Sequence, residues 1–161
     1  MKEKVGWGGR GEWYVVIQFI LFAIIFLIPF FGPELAGWPE PWATIGIWLG
    51  IGLGLAGMLL SLAGVMGLGR NLTAVPHPKD DAFFVGGGAY RLVRHPIYSG
   101  IIFAAFGWGF FMNNVLALLL ALVLFLFFDI KTRREERWLC AKFAEYPAYQ
   151  GRVRKLIPFI Y

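Results

Sequence analysis

Two long stretches of this chain contain no charged residue, and they restrict the possible folds more than any other feature. The first, residues 13–31, is 19 residues long, and Gln18 is its one strongly polar member. The second, residues 42–68, is 27 residues long. A helix needs about 20 apolar residues to cross the roughly 30 Å of bilayer hydrocarbon. Both stretches therefore predict membrane-spanning helices.

The composition indicates a membrane protein as well. Hydrophobic residues make up 58% of the chain and charged residues 16%, which is far too apolar for a soluble domain of 161 residues. A secretory signal peptide is the competing interpretation of the first stretch, but the run is too long and Gly32-Pro33-Glu34 is a poor cleavage site. We therefore expect residues 1–161 to form a single membrane domain, with two N-terminal spans in residues 13–69.

Glycine is frequent in the second span. Gly46, Gly50, Gly54 and Gly57 fall on nearby faces of the predicted helix. Small residues at a spacing of four let two membrane helices approach until their backbones touch. The pattern predicts a close helix contact, although glycine is also simply common in membrane helices.

Two shorter apolar segments follow, joined by Asn113-Asn114. Residues 98–112 and 115–128 number 15 and 14, so each helix would cover only about 22 Å. The pair is either a hairpin that does not fully span the membrane or one that its flanks lengthen. The predicted fold is therefore all-α and integral to the membrane, with about four transmembrane segments and a cytoplasmic C-terminal helical segment.

Basic residues are distributed unevenly. Of the fifteen, three precede the first span, four lie in residues 70–94 and eight follow residue 129, whereas residues 32–41 contain none. Because cytoplasmic loops carry the excess of Lys and Arg, both termini and residues 70–95 should face the cytoplasm. We expect a multi-pass protein of a bacterial or archaeal plasma membrane, whose net charge of +5 is explained by anionic membrane lipid without nucleic acid. The three N-terminal basic residues are Lys2, Lys4 and Arg10.

Polar residues concentrate in two segments that flank the hairpin. Arg94 and His95 end the first segment, just before Pro96 begins a helix. Glu135 and Glu136 lie in the second, where the fourth helix should continue out of the membrane. Because a hairpin brings its own ends together, the two pairs should be neighbours and form one candidate site.

The cations of this site also have simpler explanations. Arg91 and Arg94 are equally well explained as ordinary cytoplasmic charges, and His95 as a satisfied histidine at the membrane interface. Cys140 is alone, so it forms neither a disulfide nor a metal site, and a buried thiol is the better expectation.

The glutamates have a simpler explanation too. Lys131 is four residues before Glu135, and Arg133 is three residues before Glu136. Both spacings permit ion pairs along the surface of one helix. Surface pairing therefore stays an alternative to a shared site.

Two motifs separated by one hairpin carry a family resemblance. The first is Gly88-Ala89-Tyr90-Arg91-Leu92-Val93-Arg94-His95-Pro96-Ile97-Tyr98-Ser99-Gly100, and the second is Glu135-Glu136-Arg137-Trp138-Leu139, followed by Phe143, Tyr146, Tyr149 and Val153. In order and spacing they resemble the isoprenylcysteine carboxyl methyltransferase family of integral membrane enzymes. The resemblance covers roughly residues 69–161, so we expect residues 70–161 to form a methyltransferase-like, cofactor-binding part.

The resemblance implies S-adenosylmethionine as methyl donor, bound at the cytoplasmic membrane face. This donor carries a carboxylate, an ammonium, a sulfonium and ribose hydroxyls, so its site needs cations, acids and an aromatic surface. The resemblance implies catalytic roles for Arg94, His95 and Glu136, and no metal. It implies cofactor-binding roles for Tyr90, Arg91, Val93, His95, Pro96, Tyr98, Gly100, Glu135 and Glu136.

The sequence does not identify the methyl acceptor. A carboxylate acceptor would need no general base, whereas an amine or thiol must lose a proton, which His95 or a glutamate could take. A site at the membrane face should admit a lipophilic or small-molecule acceptor. The chain departs from the family pattern at Phe143-Ala144 and at Arg154-Lys155, which leaves the choice of acceptor open. It is also short, with four predicted hydrophobic segments, so a eukaryotic-type prenylated protein substrate is not implied.

Two other functions are compatible with the same residues. Membrane reductases of the sterol type look similar in their C-terminal half, and a nicotinamide cofactor would assign Arg91 and Arg94 to phosphates. A non-enzymatic membrane scaffold would use the cluster only to anchor the cytoplasmic face.

Overall fold

The computed structural model describes residues 11–33 and 37–161, and every regular element in these ranges is helical. Lys2, Lys4, Arg10 and Glu34 lie outside the described residues. The all-α prediction is confirmed for the described part of the chain. The helices are α1 (Glu12–Phe31), α2 (Trp42–Leu68), α3 (Pro96–Phe111), α4 (Val115–Lys142) and α5 (Tyr146–Gln150), with short 3₁₀ turns at Gly69–Asn71 and Gly88–Arg91.

Three helices, α1, α2 and α4, are long and apolar enough to cross a membrane. Much of their large apolar surface is exposed, with Trp48 at 70% and Phe19 at 60%, as lipid contact requires. Helix α3 has 16 residues and rises about 24 Å, less than the roughly 30 Å of hydrocarbon. Of the two hairpin helices, only α4 extends far enough beyond its predicted apolar segment to span the bilayer. Four full membrane crossings therefore stay a prediction.

Helices α2 and α3 pack antiparallel with their backbones in contact. A Cβ atom placed on Gly57 of α2 would lie 2.4 Å from the carbonyl oxygen of Gly100 in α3. Seven residues earlier, a Cβ on Gly50 would lie 2.6 Å from the carbonyl oxygen of Gly107. A spacing of seven is close to two helical turns, so both contacts fall on one face of each helix.

The predicted glycine contact exists between α2 and α3, but the glycines that form it are not all the predicted ones. Gly46, Gly50 and Gly57 are buried, whereas a Cβ on Gly54 would meet nothing within 4 Å. Gly64 is buried as well, against the first turn of α3. Gly50, Gly57 and Gly64 repeat every seven residues, close to two helical turns. Gly54 also lies at the contact, since a Cβ on Gly107 of α3 would be 2.9 Å from its backbone nitrogen, but a Cβ on Gly54 itself would point away from α3.

The two halves of the hairpin meet at a tight turn. The Asn114 side chain caps α4 by accepting a hydrogen bond from the Ala117 backbone N–H at 2.9 Å. Asn113 adopts a left-handed conformation with φ of 49°, and its side chain bonds both the N–H and the C=O of Trp38. The turn is therefore tied to the chain that leads into α2.

The C-terminal segment returns to the beginning of α3. The backbone N–H of Arg94 donates to the carbonyl of Arg154 at 2.7 Å, and that of His95 donates to Lys155 at 3.2 Å. Lys155 also pairs with Asp129 of α4, which accepts a bond from the Tyr161 hydroxyl at 2.8 Å. Helices α3 and α4 and the C-terminal segment are thus locked around the Arg94-His95 peptide.

Candidate active site

Arg94 and Glu136 form a buried, two-armed ion pair across the hairpin. Arg94 Nε donates to Glu136 Oε1 at 2.7 Å and Nη2 to Oε2 at 3.3 Å, with side chains only 10% and 7% exposed. Arg94 Nη1 donates to the carbonyls of Gln150 and Val153. Four of the five guanidinium N–H groups are therefore used, and the side chain holds α4 against the C-terminal segment.

His95 and Tyr98 continue the cluster toward Glu135. His95 Nε2 lies 3.0 Å from Glu136 Oε1, and its ring stacks on Tyr98 with centroids 5.7 Å apart. The Tyr98 hydroxyl donates to Glu135 Oε2 at 3.1 Å. The expected proximity of the two residue pairs across the hairpin is confirmed, whereas their catalytic and binding roles stay a prediction.

Surface pairing along α4 is the wrong explanation for the glutamates. Lys131 Nζ donates to Gln18 of α1 at 2.6 Å, and Arg133 pairs with Asp129 at 2.8 Å. Neither basic residue forms an ion pair with Glu135 or Glu136 within the described residues. The reason is that α3 and the C-terminal segment cover this face of α4, so its acids meet partners from other elements.

A cavity of about 230 Å³ lies beside the cluster. It is bounded by α1, the end of α2, residues 71–85, and the ends of α3, α4 and α5. Five of the predicted site residues line it, together with one tyrosine that follows the second motif. They are Tyr90, Arg94, His95, Tyr98, Glu135 and Tyr149.

Five predicted residues lie elsewhere. Arg91 is exposed, Val93 and Pro96 are fully buried, and Gly100 packs against the backbone of α2. Glu136 is behind Arg94 and His95 and does not line the cavity. Glu136 bonds Arg94 and His95 on the cavity wall, and direct contact with a cofactor stays a prediction for each of the five.

The cavity is also lined by residues that were not predicted, among them three that carry polar groups. Gln18, Lys131 and Tyr146 all face the cavity. Gln18 is the one strongly polar residue of the first apolar run, and Lys131 lies one turn before Glu135. Both signals are visible in the sequence, but only the packing of α1 on α4 joins them.

The two tyrosines of α5 differ in their hydrogen bonding. The buried Tyr149 hydroxyl donates to the carbonyl of Tyr90 at 2.6 Å, whereas the Tyr146 hydroxyl has no partner within the described residues. Burial raises the pKa of both phenols, so both are neutral donors near neutral pH. An unpartnered buried hydroxyl on a cavity wall is suited to a ligand.

Fold and site together define a multi-pass helical membrane protein with a cavity, mostly apolar but carrying a cluster of polar side chains, at one end of a helix hairpin. The family model described as "Phospholipid methyltransferase" matches residues 45–146. Because this is more than half of the chain, the chain belongs to the phospholipid methyltransferase family.

The relatives confirm the resemblance to isoprenylcysteine methyltransferases. A probable protein-S-isoprenylcysteine O-methyltransferase of Oryza sativa subsp. indica is 33% identical over 117 residues, covering 70% of this chain and 61% of the relative. The cobalt-zinc-cadmium resistance protein CzcN of Cupriavidus metallidurans is 27% identical over 154 residues, covering 92% and 62%.

A solved structure has the same fold. The eukaryotic intramembrane Ras methyltransferase ICMT superposes with a TM-score of 0.65 at 23% identity, covering 98% of this chain and 58% of that one. The chain therefore spans about three fifths of the length of these similar proteins.

Proposed function

We propose that this protein is a membrane methyltransferase that transfers a methyl group from S-adenosylmethionine to a lipophilic or small acceptor. The acceptor group is a carboxylate, amine, thiol or hydroxyl, and the reaction takes place at the cytoplasmic membrane face. The observation that carries the proposal is the buried Arg94–His95–Glu136 cluster, whose Arg94 and His95 line a cavity, in a chain of a methyltransferase family.

The side chains around the cavity fit the chemical groups of this donor. Glu135 uses one oxygen for Tyr98, so the other is available to an ammonium or a ribose hydroxyl. His95 and the remaining N–H of Arg94 suit a carboxylate. The unpartnered Tyr146 hydroxyl offers one more donor. Bound there, the donor supplies a methyl carbon activated by the positive sulfur.

The protein groups contribute positioning and exclusion of water. Glu136 holds Arg94 and His95 in one orientation, and Tyr98 holds Glu135. Such alignment can remove roughly 7–11 kcal/mol from the barrier of a displacement reaction. Where the acceptor is an amine or a thiol, Glu135 takes its proton.

The arrangement of the helices suits an acceptor with an apolar tail. Helix α1 packs on α4 and α2 packs on α3, while Gln18 and Leu68 line the cavity from α1 and α2. At about 230 Å³ the cavity is smaller than the roughly 300–1,000 Å³ typical of ligand sites. Donor and acceptor together therefore need the space between α1 and α2, where a lipid tail can lie.

Methyl transfer into a lipid extract tests this function. Purified protein in neutral detergent is incubated with methyl-tritiated S-adenosylmethionine and total membrane lipid, and label is counted in the organic and aqueous fractions. We expect label in the organic fraction for the wild type and none for His95→Ala. Absence of label from the organic fraction and from every aqueous product separated from unreacted donor, with protein that is folded, would contradict the proposal.

The two tyrosines of α5 give a matched pair of predictions. Tyr146→Phe removes no hydrogen bond from the ligand-free protein, so its melting temperature should be unchanged or higher. Its affinity for S-adenosylhomocysteine should fall about 5–10-fold, the loss of one hydrogen bond to the ligand. Tyr149→Phe leaves the Tyr90 carbonyl unpaired and should lower stability by roughly 1–3 kcal/mol. Thermal melts and calorimetric titration measure both effects, and unchanged affinity in Tyr146→Phe would exclude this hydroxyl from the donor site.

A further inference from the structure

A second crevice, of about 460 Å³, lies behind the Arg94–Glu136 ion pair. Its walls are α4 and residues 150–155 and 160–161, and we call it the C-terminal crevice. Among the described residues, Arg94 alone lines both this crevice and the cavity of about 230 Å³. The ion pair therefore separates a molecule in the C-terminal crevice from one in the cavity.

The lining of the C-terminal crevice is strongly basic. Five of its side chains are basic and one, Glu136, is acidic. This acid is already bound to Arg94 and His95. A crevice with such an excess of one charge concentrates ions of the opposite sign. The basic residues are Arg94, Arg133, Arg152, Arg154 and Lys155.

Two of these cations, Arg152 and Arg154, have no carboxylate partner within the described residues. Both are exposed. Asp129 of α4 is already shared by Arg133 and Lys155. Guanidinium groups bind phosphate oxygens through paired, charge-assisted hydrogen bonds, so the two arginines suit a phosphate.

One end of the C-terminal crevice is apolar. Ile160 lines it and is 74% exposed, and the neighbouring Phe159 is 79% exposed. Phe159 has a φ of 66°, which is uncommon for a bulky residue, and the backbone N–H groups of residues 156 and 157 close the turn by donating to the Tyr161 carbonyl. The turn thus presents two large apolar side chains outward, as contact with lipid requires.

The apolar end of the crevice lies beside the membrane-spanning part of α4. The Tyr161 ring packs on Phe125 of this apolar segment, with centroids 6.0 Å apart. Leu126 and Ile130 of α4 are exposed, and Arg133 follows Ile130 by three residues on the same face. This face therefore runs from apolar side chains directly to a cation of the crevice, and a phospholipid has the same order of acyl chain and phosphate.

We propose that the C-terminal crevice binds the head of an anionic membrane phospholipid, with an acyl chain against Ile130 and Ile160. A zwitterionic head is a poorer ligand, because its ammonium group is repelled by the same arginines that attract its phosphate. The lipid in this crevice is not the methyl acceptor, since the Arg94–Glu136 ion pair lies between it and the cavity.

The loop that forms the crevice also holds Arg94. The Arg94 guanidinium donates to the carbonyls of Gln150 and Val153, which flank Arg152. The lipid site and the buried ion pair therefore share one loop, and a lipid head that fixes this loop supports Arg94 from behind.

Native mass spectrometry of the purified protein in neutral detergent tests the proposal. The protein is mixed with equal amounts of phosphatidylglycerol and phosphatidylcholine with the same acyl chains, and the bound fraction of each is measured. We expect one phosphatidylglycerol per chain, bound at least about 10-fold more tightly than phosphatidylcholine. Arg152→Gln/Arg154→Gln should lose this preference. Arg70→Gln/Arg137→Gln removes the same charge from exposed positions outside the crevice and should keep it.

Equal binding of the two lipids by wild type would overturn the proposal, even where the double variant does not fold. A preference that survives in folded Arg152→Gln/Arg154→Gln, or that both double variants lose, would overturn it as well. Excess glycerol 3-phosphate should not displace the lipid, and displacement would mean that the crevice takes a soluble phosphate instead. These measurements contain no methyl donor, so their outcome is independent of the proposed function.

Discussion

Glu136→Gln is expected to lower methyl transfer by at least about 100-fold, because the buried Arg94 and His95 lose the carboxylate that orients them. The amide has nearly the same shape but no charge, so the Arg94 guanidinium stays buried without a counter-ion. Breaking a buried pair in this way costs roughly 3–5 kcal/mol of stability. Initial rates with tritiated donor and thermal melts in detergent measure the two effects.

The matched control for this variant is Glu145→Gln. Glu145 is exposed just before α5, and the substitution removes the same charge from the same part of the chain. It should change stability by less than about 0.5 kcal/mol and leave the transfer rate at the wild-type level. Wild-type activity in folded Glu136→Gln would show that the ion pair is not needed for the reaction.

Gly57→Leu is expected to force α2 away from α3 and to destabilise the protein by about 3 kcal/mol or more. The added Cβ would lie 2.4 Å from a backbone carbonyl of α3, and backbone cannot move aside as a side chain can. His95 immediately precedes α3, so a shift of this helix should weaken donor binding as well. Chemical or thermal unfolding and calorimetric titration with S-adenosylhomocysteine report these losses.

Gly52→Leu provides the comparison on the same helix. Gly52 is exposed, and a Cβ there would meet nothing within 4 Å, so the leucine faces lipid. Its stability should equal or slightly exceed that of the wild type, since leucine favours a helix more than glycine. Equal destabilisation by the two substitutions would mean that the glycine contact does not hold α2 and α3 together.

The helices could be predicted because apolar runs are local signals. The bounds of α2 agree with the uncharged run at residues 42–68, and α1 begins one residue before the expected position. The hairpin turn is also local, since Asn113-Asn114 interrupts the apolar pattern. The number of full membrane crossings cannot be predicted from local signals, because α3 is short and its depth in the bilayer depends on the helices it packs against.

The contact between Arg94-His95 and Glu135-Glu136 was predictable because a hairpin joins its own ends. The role of Gln18 was not, since α1 is distant in sequence and only its packing on α4 brings this amide to Lys131. Likewise, helix rotation decides that Gly64 is buried and Gly54 is not. Contacts between helices distant in sequence therefore decide these features, and local sequence patterns do not predict them.

Calorimetric titration of the purified protein with S-adenosylhomocysteine tests the central claim most directly. The account predicts one site per chain for the wild type and for Glu145→Gln, and at least about 10-fold weaker binding for Glu136→Gln. A parallel titration with NADPH should give no binding heat. Binding of NADPH without binding of S-adenosylhomocysteine would contradict the account and favour a nicotinamide-dependent reductase.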